Sequence, residues 1–246
     1  MKTLSIILGL LACSSPLSAA TMTATLTGTV PLFYDTTGVF GVEGIVENSL
    51  FSLVYTYDTD RGRYDTSTPE NPGLYNVDGE PAAVRASLTI NGFTQRFMGS
   101  YFGTVQMCAT TVAGCEGGFA GFEAFDYRDD AGSPEGYLSN IVSIFLPTFY
   151  VGSGFSFPGD LTTPFSTVLD PSFGDYRYGY FSISEIPANG SAAEPSREAA
   201  GQLKPTFLTV QAAAVSAVPI PASFGLLLGA IAVLSGVGAH KRRLLA

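Results

Sequence analysis

Closely spaced carboxylates are the residues of this chain whose types and spacing could support chemistry. Asp58, Asp60 and Asp65 lie on a short polar segment that also contains glycine. Alternating carboxylates on such a loop can direct several oxygens at one point, as Ca²⁺ requires. The segment departs from the EF-hand pattern, and Arg61 and Arg63 can neutralise its acids locally. We predict an acidic surface turn here and no cofactor, with a calcium site at Asp58, Asp60 and Asp65 as the alternative.

A second acidic pair and a run of tyrosines raise the question of sugar chemistry. Glu123 and Asp126 are separated by an odd offset, which in a strand sends them to opposite faces. They are therefore a poor pair for glycoside hydrolysis, which needs two carboxyls flanking one bond. We expect a protein that is not an enzyme, with a carboxylate-dependent glycan hydrolase as the less favoured alternative. Tyr176, Tyr178 and Tyr180 share one strand face, which favours core packing, with a sugar-stacking platform as the alternative.

Composition excludes several function classes. The single histidine, His240, is the seventh residue from the C-terminal end, so the body has no histidine for Ser-His-Asp catalysis or for a histidine-ligated zinc. Between Thr21 and Ala217 the chain has eight basic and 21 acidic residues, a net charge of −13. A surface this acidic repels phosphates, so nucleic acid is excluded as a partner.

Two cysteines of the body are predicted to form a disulfide. The chain has three cysteines, of which Cys13 lies near the N-terminus. Cys108 and Cys115 remain as an even pair, which in an exported domain indicates a disulfide. The bond would close a short loop and staple a hairpin tip.

The elements that must position these residues are strands. Runs of alternating apolar and polar residues, rich in β-branched and aromatic types, are separated by glycine and proline. Asn91-Gly92 between two such runs predicts a tight hairpin, because both positions accept a positive φ. The fold class predicted is all-β, a β-sandwich or jelly-roll-like ectodomain. Strands are predicted at 21–30, 49–57, 83–90, 94–98, 101–107, 119–127, 138–146, 178–186 and 206–213.

The body is expected to divide into an ectodomain and a connecting segment. The ectodomain is predicted over residues 21–190, and a linker followed by the last strand over 191–217. Residues 58–80 and 191–204 are polar and lack strand character. The second of these segments is therefore predicted to start the linker.

The N-terminal residues predict a secretory signal peptide over residues 1–20. Lys2 provides the basic start, an apolar run follows, and Ala20 ends a small-residue cleavage site. Cleavage there leaves Thr21 as the mature N-terminus. A lipoprotein box ending at Cys13 is the alternative.

The C-terminal residues predict one transmembrane helix at 222–239, preceded by a proline-bearing motif and followed by a basic stop. The span has 18 residues without a charge, about 27 Å of helix, close to the roughly 30 Å hydrocarbon core. The basic cluster is expected to stay on the cytoplasmic side, with the body outside. The motif residues are Val218, Pro219, Ile220, Pro221 and Ala222, and the basic stop is Lys241, Arg242 and Arg243.

Residues 218–246 resemble the C-terminal sorting signal of the PEP-CTERM class of exported proteins. The order of motif, apolar helix and arginine-containing end is similar to its VPLPA-type variant, with Ile220 in place of leucine. The resemblance implies sorting by an exosortase-type membrane processing enzyme and delivery to the surface or extracellular polymer of a Gram-negative cell. A permanent, uncut membrane anchor is the alternative.

These expectations combine into one functional hypothesis. The chain is expected to be an exported surface or extracellular-matrix protein associated with exopolysaccharide. A carbohydrate- or calcium-binding adhesion module is the alternative. The partners expected are the exosortase-type enzyme and an extracellular polysaccharide.

Overall fold

Twelve strands connected by loops make up the described part of the chain. A computed structural model describes residues 21–36, 38–65, 73–76, 80–110, 118–128, 137–147, 155–170, 179–186 and 197–213. These residues contain no helix, so the all-β prediction is confirmed. The strands are β1 Thr21–Asp35, β2 Gly44–Asp58, β3 Arg63–Asp65, β4 Gly73–Tyr75, β5 Val84–Ile90, β6 Phe93–Phe97, β7 Phe102–Cys108, β8 Phe119–Arg128, β9 Tyr137–Pro147, β10 Phe165–Val168, β11 Gly179–Ile186 and β12 Arg197–Ala212.

All strands join one antiparallel sheet in the order β3-β4-β7-β8-β9-β11-β12-β1-β2-β5-β6, with β10 also paired to β12. The sheet curls on itself, because β5 and β6 contact β7, β8 and β9, which are not their hydrogen-bonded neighbours. One face is therefore enclosed and the other faces outward. All twelve strands lie in one compact unit that extends to Ala213.

Alternation along each strand explains which side chains fill the enclosed face. In β1 and β2 every second residue is buried over most of the length, as the period of two requires. Aromatic rings supply most of the large buried volume. The largest fully buried side chains include Phe33, Phe40, Tyr55, Tyr57, Phe97, Phe122, Phe157 and Phe181.

Two buried tyrosines form hydrogen bonds across the interior of the curled sheet. The hydroxyl of Tyr55, on β2, donates to the carbonyl oxygens of Val142 and Phe122 at 3.1 and 3.2 Å. The hydroxyl of Tyr57 donates to the carbonyl oxygen of Leu161 at 2.9 Å. Burial raises the pKa of both phenols, so they stay neutral donors. Each ring thus adds apolar area and still satisfies its polar atom.

The sheet branches at β12. This strand pairs with β1 on one side, and on the other with β11 through residues 197–203 and with β10 through residues 207–210. Pro205 lies at the branch, where a missing N–H is tolerated because the ladder is interrupted by a bulge. Gly28 lies opposite Pro205, and a side chain there would collide with the carbonyl oxygen of Lys204. The close approach therefore requires glycine.

Asn91 and Gly92 adopt φ values of 53° and 83°, so the predicted hairpin between β5 and β6 is confirmed. The linker predicted at residues 191–204 is wrong from Arg197 onward, since those residues belong to β12. Their pairing with β1 and β11 outweighs a local composition of Ala, Gly and Gln that disfavours strands. β3 and β4 likewise lie within the segment expected to lack strands.

Candidate functional site

Five strands align polar side chains in one row on the outward face. Thr104 on β7 lies directly opposite Glu123 on β8, and Glu123 opposite Ser143 on β9. Ser143 in turn lies opposite Tyr180 on β11, and Tyr180 opposite Gln202 on β12. Opposed residues share a face with Cβ atoms roughly 5 Å apart. We call these five residues the polar row.

The polar row combines a partly buried carboxylate with a buried hydroxyl. Partial burial raises the pKa of Glu123, an effect opposed by a hydrogen bond with Ser143. Burial raises the pKa of Tyr180, and the charge of Glu123 raises it further. Thr104 is 7% exposed, and its hydroxyl has no hydrogen-bond partner among the residues that the structure describes. A buried hydroxyl without a partner costs stability, so its presence calls for a reason.

A groove of about 540 Å³ opens beside Tyr180, between β1, β2, β11 and β12. We call it the tyrosine groove. Tyr180 and Tyr34 are 43% and 46% exposed there. Its volume and apolar lining, with few polar groups, are typical of a small-ligand site. The side chains that border it include Leu32, Tyr34, Ile45, Tyr180, Ser182 and Gln202.

Three phenylalanines support the tyrosine groove from the enclosed side. The ring of Phe40 lies 6.0 Å from that of Phe33 and 5.4 Å from that of Phe181, both nearly edge-on. Gly201 sits between Phe33 and Phe181, where any side chain would collide with both. Asp35 holds the loop that carries Phe40, because its carboxylate accepts the amides of Val39 and Phe40 at 2.9 and 2.6 Å. The floor of the groove is thus fixed by packing and by a buried cap.

Comparisons of this chain with protein-family models, with curated proteins and with solved structures find no match. The two ends of the polar row differ in their chemistry. At one end the row meets two exposed aromatic rings, and at the other it holds a buried hydroxyl.

The predicted calcium loop is only partly within the described residues. The carboxylate of Asp58 accepts the amide of Asp60 at 3.1 Å and pairs with Arg61 at 3.1 Å. Asp60 is exposed, and the side chain of Asp65 lies outside the described part. Within the described ranges no group of three or more acidic, histidine or cysteine side chains is placed to hold a metal. A calcium role for Asp58, Asp60 and Asp65 stays a prediction.

The two carboxylates weighed for hydrolysis lie on opposite faces, as their odd spacing predicted. Glu123 faces outward in the polar row, whereas Asp126 is 4% exposed. Asp126 accepts the amides of Met98 and Ser100 at 2.7 and 2.8 Å, and the Ser100 hydroxyl at 2.7 Å. It therefore holds the connection between β6 and β7, and the pair does not flank one site.

The tyrosine predicted as core is exposed instead. Tyr180 faces outward because the enclosed positions of β11 are taken by Phe181 and Ile183. Tyr176 and Tyr178 lie outside the described residues. Sequence reasoning missed Tyr34, Thr104 and Ser143, since each acquires its role from strand register rather than from a local motif.

The remaining predicted sites lie at or beyond the edges of the described part. Cys108 is buried at the end of β7, and its predicted partner Cys115 lies outside, so the disulfide stays a prediction. Ala20, the motif Val218–Ala222 and the basic stop Lys241–Arg243 also lie outside. Among the described residues no helix is long and apolar enough to span a membrane, and the predicted span 222–239 is not among them.

Proposed function

We propose that this protein is an exported, non-enzymatic component of the cell surface or exopolysaccharide matrix, and that its tyrosine groove binds a sugar chain. The observation that carries the binding proposal is the pair of exposed rings, Tyr34 and Tyr180, in one groove of about 540 Å³. In this proposal the curled sheet is the sandwich-like ectodomain.

The groove offers the two kinds of contact that a sugar needs. Aromatic faces pack against the C–H faces of a pyranose ring. The amide of Gln202 and the hydroxyl of Ser182 can bond sugar hydroxyls beside the rings. The polar row continues this supply of donors and acceptors to Thr104. The charge of Glu123, which is felt at Tyr180, disfavours an anionic sugar at this groove, so the ligand proposed here is neutral.

The absence of catalysis is part of the proposal. The carboxylate oxygens of Asp126 accept hydrogen bonds from three donors of the β6–β7 connection. Glu123 does not line the tyrosine groove, and the described residues that do line it include no carboxylate. Binding without bond cleavage is the activity that this arrangement favours.

Export and sorting rest on the chain termini. Every described strand lies after Ala20, so cleavage there would leave the described fold in place. β12 ends at Ala212, so processing at Val218–Ala222 would leave every described strand in place. We propose that an exosortase-type enzyme cuts there after the helix 222–239 and the stop Lys241–Arg243 have held the chain in the membrane.

The binding proposal is tested by titrating the purified full chain in detergent with a panel of neutral oligosaccharides. Y34A and Y180A should each weaken binding about tenfold, because each removes one stacking ring. Y101A is the matched control, since Tyr101 is 59% exposed but does not line the groove. Absence of any binding, or an equal loss in Y101A, would contradict the proposal.

The sorting proposal is tested by following the size and location of the protein in cells. P219A/P221A, or deletion of the exosortase-type enzyme, should leave the uncut form in the membrane. A permanent anchor predicts one unchanged size in every strain.

A further inference from the structure

A second outward-facing surface carries two arginines on neighbouring strands. Arg85 lies on β5 opposite Thr56 of β2, and Arg96 lies on β6 opposite Ser87 of β5. Arg85 and Ser87 are two residues apart, so both guanidinium groups leave the same face of the sheet. Both arginines are exposed. They sit on the half of the sheet that is distant in strand order from β11.

The two arginines border a groove of about 260 Å³, which we call the arginine groove. Its other outward side chains are the hydroxyls of Thr56 and Ser87 and the apolar chains of Val54 and Met98. The surface thus offers two cations, two hydroxyls and a small apolar patch. That combination suits a ligand carrying both a negative charge and a ring with C–H and O–H groups.

These guanidinium groups lack the partners that other arginines of the body have. Arg61 pairs with Asp58 at 3.1 Å, and Arg197 pairs with Glu185 at 2.7 Å. Among the described residues Arg85 and Arg96 make no ion pair and no side-chain hydrogen bond. In a body with 21 acidic and eight basic residues, two unpaired neighbouring cations concentrate positive potential in one place.

We infer that the arginine groove binds the carboxylate groups of an acidic polysaccharide, a chain containing uronic acid. A guanidinium matches a carboxylate with two parallel hydrogen bonds, which a point charge does not. Thr56 and Ser87 can bond ring hydroxyls, and Val54 and Met98 can contact a C–H face. The inference does not depend on the tyrosine groove.

The test uses the full chain in detergent and a short oligogalacturonate, followed by calorimetry. The oligogalacturonate should bind, with an affinity that falls as salt rises. Its methyl-esterified form has the same rings without the charge, and should bind at least about tenfold more weakly. R85Q and R96Q should each weaken oligogalacturonate binding about tenfold, and R85K should recover only part of the affinity that R85Q loses. K204Q, which removes a cation lining neither groove, should have no effect.

The outcomes separate this ligand from others. Equal binding of the esterified form, or an equal loss in K204Q, would overturn the inference. Equal binding of inorganic sulfate or of poly-glutamate would also overturn it, because neither carries a sugar ring. A normal response of R85Q and R96Q to the neutral sugars of the tyrosine groove is expected, which keeps a failure here distinct from a failure of the proposed function.

Discussion

The tyrosine groove and the arginine groove lie on the same outward face but differ in the kind of interaction proposed to bind a ligand. Both border β2, the first near Ile45 and the second near Val54 and Thr56. The tyrosine groove is mainly apolar, and the binding proposed there depends on stacking, which salt hardly affects. The binding proposed at the arginine groove depends on two cations without an ion pair among the described residues, and salt screens such charges over about 10 Å. A long strand in a curled sheet can therefore carry two surfaces with independent ligands.

Each groove also has its own internal support. Asp35 caps the loop that carries Phe40 beneath the tyrosine groove. Asp126 accepts the amide of Met98, whose side chain borders the arginine groove. If the two regions are independent, a change to one support should alter one groove and leave the other intact.

Replacing Phe40 by alanine should have the largest effect. The ring packs on Phe33 and Phe181, so F40A should lower the free energy of unfolding by about 3–5 kcal/mol. In conditions where the variant stays folded, neutral-sugar affinity should fall while oligogalacturonate affinity is retained. Urea unfolding and calorimetry measure both. An equal loss at the two grooves would show that they are coupled.

Replacing Asp126 by asparagine should weaken binding at the arginine groove more than at the tyrosine groove. It should also destabilise the protein less than F40A does. The new amide NH₂ group would face the Met98 N–H or the Ser100 donors, so D126N should lower the free energy of unfolding by about 2–3 kcal/mol. Oligogalacturonate binding should weaken more than neutral-sugar binding. D160N is the matched control. Asp160 accepts four hydrogen bonds from Thr162 and Thr163, but it is exposed, so its loss should cost less.

Replacing Thr104 by valine should separate stability from binding. The unpartnered hydroxyl is removed while the shape is nearly kept, so T104V should stabilise the protein by about 1 kcal/mol. Neutral-sugar affinity should fall if the Thr104 hydroxyl forms a hydrogen bond with the sugar chain proposed to bind along the polar row. T56V is the control on the arginine groove, where an exposed hydroxyl should leave stability within about 0.5 kcal/mol. A T104V protein that is less stable would mean the hydroxyl has a partner.

The smallest expected effect is a dependence of folding stability on pH that is caused by Glu123. Burial raises its pKa above 4.5, so the folded state binds more protons than the unfolded state across that window. The wild type should therefore lose stability relative to E123Q as the pH rises through the shifted pKa. Partial exposure keeps the change below about 1 kcal/mol. Unfolding in urea at a series of pH values measures it.

Asp160 provides the control of opposite sign. Partial burial raises the pKa of Asp160, but hydrogen bonds from Thr163 and Thr162 outweigh this and lower it. The wild type should lose stability relative to D160N as the pH falls through that lowered pKa. The same direction for E123Q and D160N would contradict the assignment of causes.

Most of the fold could be predicted from alternation and turn residues. β5, β8 and β9 begin and end within one residue of their predicted bounds, because their patterns of buried and outward residues are regular. The first half of β12 could not be predicted, since Ala199, Ala200 and Gly201 have low strand propensity and pair only because β1 and β11 flank them. β3, β4 and β10 are too short for a periodic signal.

Much less of the site could be predicted. The placement of Glu123 and Asp126 on opposite faces follows from their odd spacing, whereas which of the two faces outward does not. The meeting of Thr104 with Glu123 depends on the register of β7 against β8, which no local motif encodes. Arg85 and Arg96 come together in the same way, through the Asn91-Gly92 turn and the pairing that it sets.

The neighbourhood of β1 and β12 has a consequence for biosynthesis. The first and last described strands pair along most of their lengths, and the amide of Ala213 donates to the carbonyl of Thr21. The ribosome therefore delivers β12, a partner of β1, after all the other described strands, and such long-range closure is slow. A polypeptide that stopped before Arg197 would leave β1 and β11 each with an open edge at the centre of the sheet, inviting association between unfinished copies.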